Sequence, residues 1–210
     1  MSCSILYYSE QVQEDIMNLP DTLQARYIGM TTRMIEYGPN LGLPHTDSFG
    51  GGLFELRLKG AEGIARVFFC TMVVQEIVIL HSFINKTQKA PEKELKIAKT
   101  RMKERKKMTT QKKTKILTHK QMVSKMLKKP TVKAAVKKLD RTEFAILDEI
   151  LAARKEAGLT QAQVAKRMGT QTPAIARLES SLATGKHSPS LTTLRKYAAA
   201  LGKRVELHLV

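Results

Sequence analysis

Cysteine is nearly absent from this chain of 210 residues: Cys3 and Cys70 are the only two. They lie too far apart in sequence for a local metal motif, and so sparse a pair gives no disulfide framework; a reducing compartment fits. Cys70 closes an apolar run and reads as a small buried hydrophobe. Long hydrophobic runs are missing too. No stretch approaches the roughly 18 apolar residues that a membrane span needs. The N-terminus shows no basic patch followed by an apolar stretch and a small-residue cleavage site, so no secretory signal is expected. The expected location is the cytoplasm, with no membrane partner. Acidic residues are scarce where basic ones are dense: Lys86–Lys138 holds 20 Lys/Arg against Glu92, Glu94 and Glu104.

What is present is apolar material for a core, 42% of residues, and a net charge of +17. That charge is unevenly placed. Residues 1–107 hold 15 Lys/Arg against 12 Asp/Glu, whereas residues 108–210 hold 21 against 7. A polyanionic partner follows, with nucleic acid first in line. A solubilising helix face is the plainer alternative.

The hydrophobic period changes along the chain. Ser9 is placed to cap a short helix carrying Val12 and Ile16. A second helix opens at Pro20 or Asp21, carries Leu23, Tyr27, Met30, Met34 and Tyr37 at helical spacing, and ends at Gly38-Pro39. The period then becomes two. Phe54, Leu56 and Leu58 alternate with Glu55, Arg57 and Lys59, a Gly60–Gly63 turn follows, and Ile64–Cys70 and Val73–Ser82 read as further strands. Helices followed by an antiparallel meander predict a small α+β domain. Residues 91–107 return to helix, with Leu95, Ala98 and Met102 on one face and Lys and Arg elsewhere. Met122, Val123, Met126 and Leu127 suggest one further helix, and Val132, Ala135, Val136 and Leu139 another.

From Arg141 the chain reads as helical almost to its end. Phe144, Leu147, Ile150 and Leu151 form an apolar stripe that Gly158 stops, with Leu159 just past the cap. Thr160-Gln-Ala-Gln163 has capping-box spacing and starts a second helix through Val164, Ala165 and Met168. Gly169 ends it. A short turn leads to a third helix at Pro173–Glu179 with Ile175 and Leu178 inward, and Leu191–Leu201 supplies a fourth.

The words GLTQAQVAKRMG, TQTPAIARLE and SLTTLRKYAAALG, within Phe144–Gly202, resemble the Cro/cI helix-turn-helix family. The spacing Gln161–Ala165–Gly169–Ile175–Leu178 is specific, because each position sets how the two helices cross. The resemblance implies operator DNA as partner, with the second helix of the pair in the major groove. It places Gln161 at a phosphate, Gln171 at the groove's flank, and Thr172, Pro173 and Arg177 facing the DNA. Arg177 suits a bidentate contact with guanine, or a phosphate contact that positions without reading sequence. Pro173 stands where the repressors often carry a polar reader, which shifts base reading toward Thr172, Arg177 and thymine methyls. A two-fold dimer is implied. Val205–Val210 alternates like a strand and pairs between subunits or packs on its own domain.

LFELRLKG (53–60), IARVFF (64–69) and ILHSFINKTQKAPEKELKIAKTRM (79–102) resemble the RelE/HigB-like toxins. That family cleaves messenger RNA, usually on the ribosome, by attack of a ribose 2′-hydroxyl on the adjacent phosphate. The chemistry needs a charge stabiliser and proton transfer groups, and no metal or cofactor is implied. By position, Arg66 matches the family's catalytic arginine and Lys86 a second essential cation. Arg57 lies on the neighbouring strand, His81 is placed for proton transfer, and Phe83 for stacking on a base. Residue by residue, the plainer alternatives are that Arg66 pairs with Glu55 or Glu76 across strands and that His81, as histidines more often are, is a satisfied polar residue.

HigB-type toxins are normally encoded directly before a helix-turn-helix antitoxin. The order here is the same, and Met108-Thr-Thr-Gln-Lys-Lys resembles a second protein's start. The expected organisation is thus a RelE-like α+β toxin domain (1–107), a basic helical extension (108–143) and an all-α helix-turn-helix domain (144–210). The expected function is a toxin–antitoxin module, against a plain repressor with a non-enzymatic N-terminal module. A basic extension is an unexpected inhibitor for a basic toxin, so steric blocking or contacts away from the site are expected rather than charge masking.

Overall fold

A computed structural model describes residues 3–60, 62–72, 76–85, 91–107, 116–184 and 189–206. The chain divides into two compact units. The first comprises residues 1–41 and 45–139, the second residues 42–44 and 140–210.

In the first unit, strand β1 (Ser4–Tyr7) precedes helices α1 (Glu10–Met17) and α2 (Asp21–Tyr37). Strands β2 (Thr46–Ser48), β3 (Leu53–Gly60), β4 (Gly63–Thr71) and β5 (Glu76–Asn85) follow, then α3 (Glu92–Lys107), α4 (His119–Met126) and α5 (Pro130–Arg141). Helix α1 starts where Ser9 Oγ accepts from Val12 N–H, as its sequence implies. The sheet order is β1-β5-β4-β3-β2. The β3–β4–β5 meander is antiparallel as expected, but the sheet gains two short edge strands that no pattern announced. Of these, β1 runs parallel to β5, with Tyr7 opposite Ile79. A register shift between Phe68 and Phe69 lets β4 oppose His81 and then Ile79. This brings His81 onto the same sheet face as Phe68.

That face carries a core of Leu53, Phe68, Cys70, Val78 and Leu80 against Ala98 and Met102 of α3. Helices α1 and α2 pack on the sheet as well, with Val12, Ile16, Leu23, Tyr27 and Met34 fully buried. Helix α4 docks on the α1 side of the unit. Gln13 grips the backbone of Leu117 twice: Nε2 donates to its carbonyl at 2.6 Å and Oε1 accepts from its N–H at 2.9 Å. Tyr7 Oη lies 2.9 Å from Tyr27 Oη and 2.6 Å from His119 Nδ1. Met122, Met126 and Val132 are buried. Burial lowers the pKa of His119 to about 4, so its ring is neutral and Nδ1 accepts from Tyr7. The basic extension is therefore seated chiefly by methionines and hydrogen bonds; of its lysines, Lys129 reaches Asp21 at 3.4 Å.

The second unit is helical: α6 (Glu143–Glu156), α7 (Gln161–Arg167), α8 (Thr172–Thr184) and α9 (Leu191–Ala200). The sequence's stop signals work as written. Gly158 (φ 63°) lets its own N–H reach the Lys155 carbonyl and that of Leu159 reach Arg154. Thr160 and Gln163 form a reciprocal capping box at the start of α7. Ile150, Val164, Ala165, Ile175, Leu178, Tyr197 and Leu201 make the core. Helix α8 runs five residues beyond the expected Glu179, to Thr184.

Among the described residues no helix is long and apolar enough to cross a membrane, and no cluster of side chains has a metal-binding arrangement.

Candidate functional site

Two places gather the residues of interest, one in each unit. On the sheet, strand register does the gathering. Arg57 of β3 lies opposite Arg66 of β4, which lies opposite Phe83 of β5. One step along the pleat, Glu55, Phe68 and His81 form a second row. Partners across a sheet share a face, so Arg57, Arg66, His81 and Phe83 converge on the surface that α3 partly covers. Lys86 lies outside the described residues.

The charges on this face are organised as a ladder. Glu55, fully buried, bonds Arg66 Nη1 through Oε1 and accepts from Arg57 Nε at 2.8 Å through Oε2. Arg57 Nη2 also donates to Asp47 at 2.6 Å. Of the two pairings open to Arg66, the register selects Glu55: Glu76 stands at the far end of β5 opposite Ser4. Arg66 itself is 1% exposed, whereas the Arg57 side chain retains 29%. A buried guanidinium is tolerable only because the carboxylate balances it. Arg57 is thus the cation that a phosphate can approach, and Arg66 holds the carboxylate that orients it.

His81 is equally engaged. Its Nε2 donates to Glu94 of α3 at 2.5 Å, and Nδ1 faces Arg101 Nη1 at 3.4 Å. Arg101 also donates to the Leu80 carbonyl at 2.9 Å and lies over the Tyr8 ring, 5.2 Å from its centre. The His81 and Phe83 rings stack at 5.6 Å, both half-buried. Sequence reasoning named Glu55 only as one of two partners open to Arg66, and missed Glu94 and Arg101 as parts of this site. The i to i+2 alternation of Glu55 with Arg57 was the available signal for the first; Glu94 and Arg101 reach the sheet only through the packing of α3.

In the second unit, α7 and α8 form the helix-turn-helix pair. Gln171 is exposed and its carbonyl accepts from Ala174 N–H at 2.9 Å, opening α8. Thr172 is half-buried, and Pro173 and Arg177 are exposed on one side of α8 while Ile175 and Leu178 point inward. Gln161 sits at the first position of α7, and its Nε2 donates to Glu179 at 2.6 Å. Its carboxamide is thus tied to a side chain of the same unit. Glu179, 2% exposed, also accepts from Tyr197 Oη at 2.6 Å and is ion-paired with Arg154 at 3.2 Å. Burial and the adjacent Glu179 raise the Tyr197 pKa. The buried carboxylate therefore joins α6, α7, α8 and α9, fixing the crossing that presents Arg177. Of the tail Val205–Val210, residues 207–210 lie outside the described residues; residues 203–206 carry no regular structure.

These two constructions define a mixed α/β domain with a charged sheet face and a helix-turn-helix domain. The family described as Phage derived protein Gp49-like (DUF891) matches residues 14–103, and the family described as Helix-turn-helix matches residues 150–207. The chain is also similar to Antitoxin HigA1 from two strains of Mycobacterium tuberculosis, CDC 1551 / Oshkosh and ATCC 25618 / H37Rv. Each is 39% identical over 64 residues, 30% of this chain and 40% of the relative. The chain spans about two fifths of the length of these relatives.

Proposed function

We propose that this chain is a toxin–antitoxin module: an RNA-cleaving domain of the RelE/HigB type, followed by an antitoxin that represses its own promoter. The observation that carries the first half is the convergence of Arg57, Arg66, His81 and Phe83 on one sheet face. Arg57 offers positive charge to a phosphorane, Arg66 fixes Glu55 beneath it, and Phe83 offers a face to a nucleobase. His81 serves proton transfer once α3 releases one of its ring nitrogens. The substrate in this reading is messenger RNA on the ribosome, and the active half needs no cofactor. The similarity to HigA1 antitoxins and the exposure of Arg177 on α8 support the second half. In this reading Thr172, Pro173, Gln171 and Arg177 meet operator DNA, bound by a homodimer at two half-sites.

The seating of α4 by Met122 and Met126 on the α1 side, rather than over Arg57, supports inhibition that does not mask the cations. A second reading, an inert RNA- or partner-binding sheet attached to a repressor, is favoured by the carboxylates already bound to Arg66 and His81. Inducing residues 1–107 with and without residues 108–210 separates the two. Growth arrest and cleaved messenger RNA from 1–107, abolished by Arg57→Ala, support the toxin. Normal growth with soluble, folded 1–107 supports the inert sheet.

A further inference from the structure

Helices α4 and α5 carry more charge than their docking uses. From His119 to Arg141 there are eight Lys/Arg, all exposed, against one acid, Asp140. The docking contacts are the buried Met122, Met126 and Val132, the Tyr7–His119 hydrogen bond and a hydrogen bond from Thr131 to Asp21. One ion pair that ties this segment to the rest of the unit, Lys129 to Asp21 at 3.4 Å, is marginal, both side chains being half-exposed.

On α5 the cations are ordered. Lys133, Lys137 and Arg141 recur every four residues, so they line one side of the helix about 6 Å apart along its axis. Val132, Val136 and Leu139 occupy the opposite side and are buried or half-buried. Among the described residues, neither Lys133 nor Lys137 has an acidic partner. Like charges at this spacing repel and cost stability. A row kept without compensating acids breaks a local rule, as binding surfaces do.

We propose that the Lys133–Lys137–Arg141 face of α5 is a DNA-backbone clamp that grips duplex phosphates flanking the site read by α8. Two observations favour DNA over RNA. Only Thr142 separates α5 from α6, the first helix of the helix-turn-helix unit. Once α8 is in a groove, the α5 cations are tethered at high effective concentration beside the same duplex. The row also belongs to the α4–α5 segment on the α1 side, not to the sheet face of Arg57 and His81. The clamp supplies affinity and no sequence information. It rests on the reading that the helix-turn-helix unit binds DNA.

The test uses the full chain and two duplex probes, one it selects from a random-sequence pool and an unselected one of equal length, with an RNA hairpin as control. Binding is titrated by fluorescence anisotropy across a range of salt concentrations. Changing Lys133, Lys137 and Arg141 together to Gln should weaken both probes by the same factor. It should also flatten the logarithmic salt slope by about 2 to 3, since each phosphate left without its cation removes about 0.9. Restoring charge with Lys133→Arg and Lys137→Arg should recover most of the slope; failure to recover it, or an altered melting profile alone, means the loss was structural and overturns the clamp. Arg177→Ala should weaken only the selected probe. An unchanged slope in the triple variant overturns the clamp, as does a loss confined to an RNA hairpin probe. If the unmodified chain binds both duplexes equally, the sequence-specific repressor reading fails, while the slope change still decides the clamp.

Discussion

Replacing Glu179 with Leu should be the most damaging single change in the helix-turn-helix unit. The carboxylate is 2% exposed and faces three groups: Arg154 at 3.2 Å, Tyr197 Oη at 2.6 Å and Gln161 Nε2 at 2.6 Å. The Arg154 side chain is only 9% exposed, so the change removes the carboxylate beside a cation held out of water. Removing one partner of such a pair costs about 3–5 kcal/mol. A stranded tyrosine hydroxyl adds about 1–3 kcal/mol. The total stability of a domain is about 5–15 kcal/mol, so this unit should be at the edge of unfolding. A fall in Tm on the order of 20 °C is expected for a unit of this size. Differential scanning calorimetry of the full chain reads it, with hydrogen exchange assigning the loss to α6–α9. The decisive comparison is the triple variant Glu179→Leu, Arg154→Met, Tyr197→Phe, which removes the cation and the hydroxyl and leaves Gln161 Nε2 its bond to the Leu43 carbonyl at 2.8 Å. It should recover most of the stability, because the cost lies in the uncompensated groups and not in the absence of an ion pair. If the single variant loses less than about 1 kcal/mol, below the range for any broken buried pair, the buried network is not what holds these helices. A triple variant as unstable as the single one refutes the reasoning as well.

His119 should make the seating of α4 sensitive to acid. Its pKa falls from 6.5 free to about 4 when docked, through burial, so the docked state binds fewer protons between those values. The contribution is complete above about pH 6.5 and is lost as pH falls toward 4, about 3 kcal/mol in all. Urea titrations of the full chain at pH 7 and pH 5 should show about half of that drop, and His119→Gln should flatten it; parallel curves would falsify the assignment. Met126→Ala removes a buried side chain from the same contact and should cost about 2–5 kcal/mol, read as earlier exchange of the α4 amides. Arg177→Ala should cost about 1–3 kcal/mol of operator affinity and relax preference at one base pair; equal weakening on all sequences would make Arg177 a phosphate contact.

What the sequence made legible was local. The Ser9 cap, the Thr160–Gln163 box and the Gly158 stop each involve residues a few positions apart, and each appears as read. The meander was legible too, because alternation in β3 and β4 needs only one sheet face to be apolar. The partner of Arg66 was not. Choosing between Glu55 and Glu76 requires the register of three strands, and the bulge beside Phe68 decides which face His81 joins. Strand β1 is four residues long and pairs with a strand some 70 residues on, so no periodicity betrays it. The Tyr7–His119 contact spans 112 positions. The burial of Glu179 was not legible either: it closes the expected Pro173–Glu179 helix, and only the continuation of α8 to Thr184 sets it inside the unit.

The parallel pairing of β1 with β5 sets a timetable for synthesis. The first strand of the chain has no neighbour until Glu76–Asn85 has been made, so the sheet closes late. Met126 is translated 41 residues after Asn85, which at about 5–20 residues per second is a delay of about 2–8 s. During that interval each nascent chain holds the residues of β3, β4 and β5 but not the α4 methionines, and their socket is empty. On the toxin–antitoxin reading every molecule is thus born uninhibited, and the interval before α4 arrives is a time during which a protease, a partner or a second chain's extension can compete for the socket.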